Sequence, residues 1–281
     1  MLPMNASRTA LGVARRRALH QVYDQEPRIL DDHVAIPILG AESAVDVITR
    51  AGRPEQYADI ALRAYMVGRS RYAEDQLRQA YRRGVRQYCL LGAGFDTFAY
   101  RNPFPDLHVF EVDHPTTQAL KRERLAQASV AEPDRLTFVP IDLDKELLAD
   151  KLAEAGLSDR EPCFFGWLGV ISYLALKTFR EIIQYLTCLP QGSSVAADYG
   201  LPLAAIRIEE RPFYERLEAS VARQGERFRL LLSKEEMGKE LRGFRMIEDI
   251  GRSELNERYF QGRVDALRVI GSGHRLFCAS V

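Results

Sequence analysis

The stretch "CLLGAGFDTFAYR", residues 89–101, joins a short apolar run to a loop that holds two glycines and then an acid. Such a loop is typical of the carboxyl end of a strand in a parallel sheet, where ligands bind. A dinucleotide-binding loop has a third glycine three residues after the second, but Thr97 occupies that position here. Asp96 would also place a negative charge beside a pyrophosphate. The loop therefore favours a ligand that carries a positive charge nearby, and S-adenosylmethionine, with its sulfonium and amino groups, is such a ligand.

Two further strands of the predicted sheet end in acids. "LHVFEVDHP", residues 107–115, places Asp113 close to the end of the second strand, and "LTFVPIDL", residues 136–143, ends with Asp142 and Leu143. The first carboxylate can accept hydrogen bonds from both hydroxyls of a ribose, and the second from the amino group of an adenine on which the leucine packs. Either acid could instead complement a helix N-terminus. A glycine loop and two acids at three successive strand ends predict a nucleoside-containing ligand more specifically than any one of them.

The order of apolar and helical stretches predicts a single α/β domain over residues 1–281. Residues 1–84 repeat apolar side chains at the helical spacing of three and four, and residues 85–200 alternate short apolar runs with helical stretches. That alternation is typical of a parallel, cofactor-binding sheet with helices on both faces. Residues 201–245 are charged and helical in pattern, so we interpret them as an inserted helical cap over the carboxyl edge of the sheet. Residues 246–281 would supply the last strands.

Composition argues against several classes of partner. Lys plus Arg equals Asp plus Glu at 39 each, so no net field favours nucleic acid or an anionic membrane. The longest uncharged stretch, Pro162–Leu176, is too short to span a bilayer. The four cysteines lack C-x-x-C spacing, which favours buried thiols in a reducing cytoplasm, and the five histidines show no paired metal-binding spacing. We therefore expect a cytoplasmic protein with no nucleic-acid partner, no membrane contact and no metal.

These motifs resemble those of the leucine carboxyl methyltransferase family of class I S-adenosylmethionine-dependent methyltransferases, and of its bacterial O-methyltransferase branch in particular. The combination of "LGAGFDT" and "FEVDHP" at this spacing is specific, and "RSRYAEDQL", "WLGVISYL" and "LPQGSSVAADY" support it. The resemblance implies a Rossmann-like seven-stranded sheet with helices on both faces and an antiparallel last strand, which "HRLFCASV" at 274–281 would supply. It also implies S-adenosylmethionine as the cofactor.

The resemblance further implies roles for individual residues. An arginine before the glycine strand would hold the cofactor carboxylate, and both Arg69 and Arg71 fit that position. Leu168 stands where members that methylate a protein phosphatase have a glutamate, which weakens the case for a protein C-terminus as the methyl acceptor. The other cofactor-binding residues that it implies belong to the glycine loop and the two acidic strand ends: Gly92, Ala93, Gly94, Asp96, Asp113, Asp142 and Leu143.

The ends of the fourth and fifth strands and the cap bear on the methyl acceptor. Tyr173 and Tyr199 follow those strands and are candidate catalytic residues, although aromatic packing under the cap explains them equally well. Arg207, Arg211 and Arg229 lie in a cap that also carries aromatic and leucine side chains. Apolar walls with a few convergent cations suit an organic acid. We therefore expect a small, natural-product-like acceptor with a carboxylate or an acidic hydroxyl.

The function predicted from the sequence is thus S-adenosylmethionine-dependent O-methyl transfer to a small molecule in secondary metabolism, with a homodimer as a possible assembly. Two alternatives stay open. An NAD-dependent oxidoreductase would use a similar sheet, although Thr97 and Asp96 argue against it. A non-catalytic S-adenosylmethionine-binding protein would keep the loop and the acids but would transfer no methyl group.

Overall fold

The computed structural model describes residues 7–49 and 57–281, so two ranges of the predicted N-terminal helical region, 1–6 and 50–56, lie outside the described residues. Within the described ranges, seven strands form one sheet. They are β1 (Gln87–Leu91), β2 (His108–Asp113), β3 (Leu136–Pro140), β4 (Cys163–Trp167), β5 (Ser194–Gly200), β6 (Met246–Ile250) and β7 (His274–Ser280).

The order of the strands places a ligand-binding edge at the centre of the sheet. The order is β3-β2-β1-β4-β5-β7-β6. Strands β1 to β5 are parallel wherever they are neighbours, whereas β7 lies antiparallel between β5 and β6. The predicted seven-stranded α/β sheet with an antiparallel last strand is therefore confirmed. The chain moves outward from β1 to β3 and then continues on the other side at β4, and ligands of such sheets bind at this reversal, outside the carboxyl ends of the strands.

Helices cover both faces of this sheet. Those in the described ranges are α1 (Arg8–Tyr23), α2 (Ala41–Thr49), α3 (Tyr57–Arg82), α4 (Pro115–Gln127), α5 (Leu148–Glu154), α6 (Leu176–Thr187), α7 (Arg211–Arg223), α8 (Lys234–Glu240) and α9 (Arg252–Tyr259). Apolar side chains of α5, α6 and α8 pack on one face of the sheet, and those of α3 and α9 pack on the other. None of these helices combines the length and the apolar character that crossing a membrane requires.

The sequence of α6 explains how a helix attaches to the sheet. Phe179, Ile182, Ile183 and Leu186 recur at the helical spacing of three and four, and all four are buried. They therefore form one apolar stripe that faces the strands. The strands on which such helices pack are apolar on both sides, and β4 and β5 are buried along their whole length, as strands between two helical layers must be.

The first helix brings the N-terminal region to the ligand-binding edge. The hydroxyl of Ser7 accepts a hydrogen bond from the Ala10 amide at 3.0 Å and so caps the start of α1. Ala14 and Ala18 of α1 are buried in a cluster with Phe95, which follows the glycine loop after β1. The helix thus packs beside that loop.

The cap differs from its prediction in one stretch. The sequence pattern predicts helix for residues 201–245, but helix is present mainly in α7 and α8. The residues between these two helices, 224–233, are irregular, and we call them the cap loop. Gly225 has a φ of +87°, which a helix cannot continue through. The amides of Arg229 and Leu230 then donate to the Ser172 carbonyl at 2.7 and 3.2 Å. The cap loop is therefore attached directly to the segment that follows β4.

A tyrosine of α7 docks the cap on the start of β7. The Tyr214 hydroxyl accepts a hydrogen bond from the Gly273 amide at 2.7 Å. A Cβ on Gly271 would lie 2.1 Å from the tyrosine oxygen, and a Cβ on Gly273 would lie 2.4 Å from the ring. Such distances are impossible for real atoms, so the cap reaches this position because both residues lack side chains.

We expect Gly273→Ala to loosen the cap. Overpacking of this kind costs about 1–3 kcal/mol, so the melting temperature should fall and amide hydrogen exchange in residues 206–223 should speed up. Gly238→Ala is the matched control, because its added Cβ meets nothing within 4 Å and alanine favours the helix in which it lies. Exchange in residues 206–223 that is equal in the two variants would contradict the assigned docking contact.

Candidate functional site

The glycine loop after β1 turns sharply at the centre of the edge. Gly92 and Gly94 have φ values of +66° and +51°, in the left-handed region that glycine adopts readily. The amides of Gly92 and Ala93 both donate to the Val112 carbonyl, at 2.8 and 3.0 Å. A Cβ on Gly92 would lie 2.3 Å from the side chain of Val170. The loop therefore lies between the ends of β2 and β4, where the strand order reverses.

Asp113 joins the end of β2 to this loop. One carboxylate oxygen accepts a hydrogen bond from the His114 amide at 2.6 Å, and the other accepts one from the Gly94 amide. Burial raises the pKa of Asp113, and the two amides partly oppose that effect. Each oxygen retains a lone pair for a further donor. The structure thus brings the predicted ribose-binding acid and the glycine loop together.

The end of β3 lies beside Asp113. The amide of Ile141 donates to the Asp113 carbonyl at 2.9 Å, and Asp142 and Leu143 follow directly. Asp142 forms an ion pair with Lys145 at 2.7 Å, which holds the pKa of Asp142 below its usual value. Leu143 is half-buried against the core, so part of its side chain stays accessible. Loop, first acid and second acid therefore lie in sequence along one edge, as the strand-end motifs predicted.

Asp96 has a cationic partner within the protein. Its carboxylate lies 3.1 Å from Arg17 of α1, and it also accepts a hydrogen bond from the Phe98 amide at 2.7 Å. Arg17 is buried and contacts Thr97 and Asp32 as well. The charge of Asp96 is therefore compensated without a ligand, and Thr97, which stands where a dinucleotide fingerprint has glycine, anchors α1. That Asp96 binds the cofactor stays a prediction.

Arg69 is the arginine of α3 that reaches the edge. It is 6% exposed, and its Nη1 lies 2.8 Å from the carboxylate of Asp198, near the end of β5. The Tyr65 hydroxyl donates to the same carboxylate at 2.9 Å, and the Gly169 amide, just after β4, donates to its other oxygen. The Nε and Nη2 atoms of Arg69 have no hydrogen-bond partner among the described residues. A buried guanidinium with spare donors is suited to hold an anionic group.

Arg71 points elsewhere. Two residues along a helix correspond to about 200° around its axis, so Arg71 and Arg69 lie on nearly opposite sides of α3. Arg71 is 42% exposed, pairs with Asp75 at 3.0 Å and donates to the Ile29 carbonyl at 3.3 Å. Of the two arginines that the sequence left open, the structure brings only Arg69 to the carboxyl edge.

Tyr173 lies at the same edge, under the cap loop. It follows β4 in a short 3-10 helix, Ile171–Tyr173, and its ring lies 5.4 Å from that of Phe228. Burial and the nearby carboxylate of Glu226 raise the pKa of Tyr173 to about 12. Glu226 in turn accepts hydrogen bonds from the first residues of the N-terminal helix region, including Ser7 at 3.0 Å. Tyr173 is therefore a protonated phenol near neutral pH, beneath a roof formed by the cap loop and the start of α1.

The structure does not bring Tyr199 to this site. Tyr199 is the neighbour of Asp198 in β5, so its side chain points to the opposite face of the sheet. Its hydroxyl donates to Asp249 of β6 at 2.7 Å, and Asp249 also pairs with Arg275 of β7. The ring reaches across β7, away from the reversal between β1 and β4. Tyr199 is therefore an aromatic residue that packs in the core, which is the alternative to a catalytic role that the sequence left open.

A narrow cavity of about 20 Å³, room for about one water, lies between the cap and the ends of β5 and β7. Its apolar wall consists of leucine, isoleucine and phenylalanine side chains, and its polar wall contains four side chains that the sequence analysis did not single out together. The apolar residues are Leu201, Leu203, Ile206, Phe228 and Leu231, and the polar ones are Ser172, Tyr214, Glu218 and His274.

His274 is the residue of this cavity that sequence reasoning missed. Its ring lies 5.0 Å from that of Tyr65 and 5.7 Å from that of Tyr214. Burial lowers the pKa of His274 to about 4, against the opposing effect of Asp198. The ring nitrogens have no hydrogen-bond partner in the part of the chain that the structure describes. A neutral imidazole with free nitrogens therefore faces the space beside Arg69 and Asp198.

The expectation that three cap arginines converge on an acid is wrong. Arg207 pairs with Glu210, Arg229 pairs with Asp144 at 2.8 Å, and Arg211 donates to two backbone carbonyls that precede it. None of the three lines the cavity. Arg207 is therefore neutralised within the cap, whereas Arg229 ties the cap loop to the segment after β3.

Comparison with known proteins agrees with this arrangement. The sequence profile of the leucine carboxyl methyltransferase family matches residues 10–187. Two relatives are described as S-adenosyl-L-methionine-dependent methyltransferases. YktD of Bacillus subtilis is 30% identical over 96% of each chain. Franean1_4929 of Parafrankia is 33% identical over 72% of this chain and 66% of its own length.

Solved structures share the fold. A DUF574 family protein from Streptomyces avermitilis superposes with a TM-score of 0.59 at 18% identity over 96% of each chain. A protein from Thermobifida fusca described as a methyltransferase gives a TM-score of 0.59 at 14% identity over 95% of this chain and 93% of its own. With the family match over residues 10–187, the conclusion is that this chain belongs to the leucine carboxyl methyltransferase family and is an S-adenosylmethionine-dependent methyltransferase.

Proposed function

We propose that the protein transfers the methyl group to an acidic hydroxyl of a small, partly apolar molecule bound in the cavity under the cap. The observation that carries this proposal is the apolar lining under the cap, with an unpartnered imidazole next to Arg69 and Asp198. The cavity holds about one water as it stands, so the cap loop has to move outward to admit the acceptor. A carboxylate acceptor would need a cation, and the cap arginines expected to supply one are paired elsewhere. The hydroxyl is therefore the better supported of the two acceptors that the sequence left open.

The residues at the edge fit S-adenosylmethionine. Arg69 has free donors for the carboxylate of the amino-acid part, and Asp113 has free lone pairs for the ribose hydroxyls. Asp142 and Leu143 offer an acceptor and an apolar surface for the adenine. The polar assignments rest on donors of Arg69 without a partner among the described residues and on lone pairs that Asp113 and Asp142 keep beyond the hydrogen bonds they already accept. The family membership excludes the NAD-dependent oxidoreductase.

The bound cofactor supplies a methyl group on a positively charged sulfur, which is a good leaving group. The protein has to align the acceptor oxygen with that methyl group and to exclude water, and alignment alone provides a large part of the acceleration. The cap loop and the start of α1 cover Tyr173 and the neighbouring edge, so they serve to exclude water. A hydroxyl, unlike a carboxylate, is protonated at neutral pH and benefits from a base.

A cytoplasmic location, a place in secondary metabolism and a homodimeric assembly stay predictions from sequence and resemblance. So does the cap as a lid that orders when ligands bind, since lids belong to the less stable parts of a fold.

We expect Arg69→Lys to weaken the binding of S-adenosylhomocysteine by about tenfold, which corresponds to about 1.4 kcal/mol. Lysine keeps the charge but loses the fork of donors that lets arginine bind one carboxylate while it pairs with another. Arg71→Lys is the matched control on the opposite side of the same helix and should bind like the wild type. The measurement is isothermal titration calorimetry. Equal affinities in the two variants would remove Arg69 from the cofactor site.

We expect the wild-type protein to methylate phenols and enols in preference to carboxylic acids of similar size and to peptides with a free C-terminus. The readout is methyl transferred from labelled S-adenosylmethionine, with the position of the methyl group identified by mass spectrometry. Exclusive methylation of carboxylates or peptides would overturn the proposed acceptor. Tight binding of S-adenosylhomocysteine without transfer to any class would instead favour a non-catalytic binding protein.

A further inference from the structure

We propose that His274 is the catalytic base of this enzyme: it takes the proton from the acceptor hydroxyl, and the acceptor is an uncharged phenol or enol. This inference rests on the proposed hydroxyl methylation and assigns to it a residue and a substrate class. It is carried by the position of His274, by the charges around it and by the lining of the cavity.

The backbone register fixes where the imidazole lies. His274 is the first residue of β7 and is paired with Gly200, the last residue of β5. A Cβ on Gly200 would lie 2.8 Å from Leu231 and 3.1 Å from the hydroxyl of Ser172, so the glycine lets the cap loop and the segment after β4 pack directly on the end of β5. The imidazole therefore shares its cavity with Leu231 of the cap loop and with Ser172 of the segment that follows β4.

Two aromatic rings fix the orientation of the imidazole. Tyr65 approaches it from α3 and Tyr214 approaches it from α7, with centroids 5.0 and 5.7 Å away. Both hydroxyls are used elsewhere, since Tyr65 donates to Asp198 and Tyr214 accepts from Gly273. The tyrosines therefore pack on the ring without occupying its nitrogens, which remain available to a bound molecule.

The charges that act on His274 come from two elements. Asp198 of β5 favours the protonated imidazole, whereas Arg69 of α3 and burial oppose it. Glu218 of α7 lines the same cavity and makes no ion pair or hydrogen bond among the described residues. At neutral pH the ring is thus neutral and able to accept a proton. The nearby Asp198 carboxylate stabilises the imidazolium once the proton arrives.

The step balances without any further reagent. As the acceptor oxygen forms its bond to the methyl carbon, the bond between that carbon and sulfur breaks and its electron pair stays on sulfur. The proton of the hydroxyl moves to a ring nitrogen of His274. The imidazolium then loses that proton to water when the product leaves, and the neutral base is restored.

The lining of the cavity selects the class of acceptor. The charged side chain that lines it is the carboxylate of Glu218, and arginines and lysines are absent from the described lining. Glu218 is itself exposed to solvent, so the described lining offers an anionic acceptor no counter-ion, and burial of an unpaired anion is costly. The cavity has a volume of about 20 Å³, so an acceptor enters only when the cap loop moves outward. The leucine, isoleucine and phenylalanine side chains that line it then suit an apolar ring that carries one hydroxyl.

The test compares His274→Gln with the wild type on a series of phenols of similar size but different acidity, from alkylphenols to nitrophenols. Glutamine keeps a polar side chain but cannot accept the proton. We expect kcat on the alkylphenols to fall by about 10²–10⁴-fold, and the loss to shrink steadily toward the nitrophenols, which are already ionised. A residue with only a structural role would give the same loss across the series.

Two further measurements keep the result interpretable. The affinity of His274→Gln for S-adenosylhomocysteine, measured by calorimetry, should equal that of the wild type. In the wild type bound to S-adenosylhomocysteine, addition of an alkylphenol should shift the imidazole resonances that are missing from the variant. His108→Gln is the control, because His108 lies on β2, bonded to Thr137 at 2.8 Å, and should retain full activity.

Three outcomes would overturn the inference. These are an unchanged kcat in His274→Gln, a loss that does not depend on phenol acidity, and imidazole resonances that do not respond to the alkylphenol. Failure of the proposed function looks different, because the wild type itself would then transfer no methyl group to any phenol while it still bound S-adenosylhomocysteine. That outcome would also remove the substrate class assigned here.

Discussion

The carboxylate of Asp198 is the contact on which the arrangement of the site depends. It is 4% exposed and receives three hydrogen bonds, from Arg69 and Tyr65 on α3 and from the Gly169 amide after β4. A buried charge of this kind is tolerated only when it is paired and hydrogen-bonded, so the three donors are fixed relative to β5. Helix α3, the end of β4 and the end of β5 thereby meet at one point of the carboxyl edge. The free donors of Arg69 and the imidazole of His274 lie on either side of that point.

The cap is positioned largely by the absence of side chains at three glycines. Tyr214 fits against the start of β7 because residues 271 and 273 are glycines, and Leu231 fits over the end of β5 because residue 200 is a glycine. Charged contacts at the rim add to this, since Arg229 pairs with Asp144 and Glu226 accepts a hydrogen bond from Ser7. These charges are satisfied at the rim, which is consistent with an apolar acceptor below the roof.

The glycine loop and the acids at 113 and 142 could be predicted because each motif is local. A strand, its last side chain and the turn that follows are contiguous in sequence, and parallel strands bring their carboxyl ends to one edge whatever the details of packing. The choice between Arg69 and Arg71 could not be made in this way. It depends on the rotation of α3 about its axis, and the partner that settles the rotation, Asp198, is 129 residues away.

Other features needed long-range pairing as well. The partner of Asp96 is Arg17, 79 residues earlier in the chain. Without that partner in view, the sequence allowed the negative charge of Asp96 to be interpreted only as a sign of a positively charged ligand. His274 becomes part of the site through the antiparallel register of the last strand, which no local motif encodes. The charged pattern around the cap loop predicts helix, yet the backbone there bonds to Ser172 and Gly200.

The affinity of Asp198→Asn for S-adenosylhomocysteine, measured by calorimetry, tests most directly whether Asp198 organises the site. Asn keeps the shape of the side chain but removes the charge that holds Arg69, and Asp249→Asn is the matched control on the opposite face of the sheet. We predict that affinity falls at least about tenfold in Asp198→Asn, with an unchanged far-ultraviolet circular dichroism spectrum, and stays at the wild-type value in Asp249→Asn. Wild-type affinity in Asp198→Asn would contradict the central role of this carboxylate.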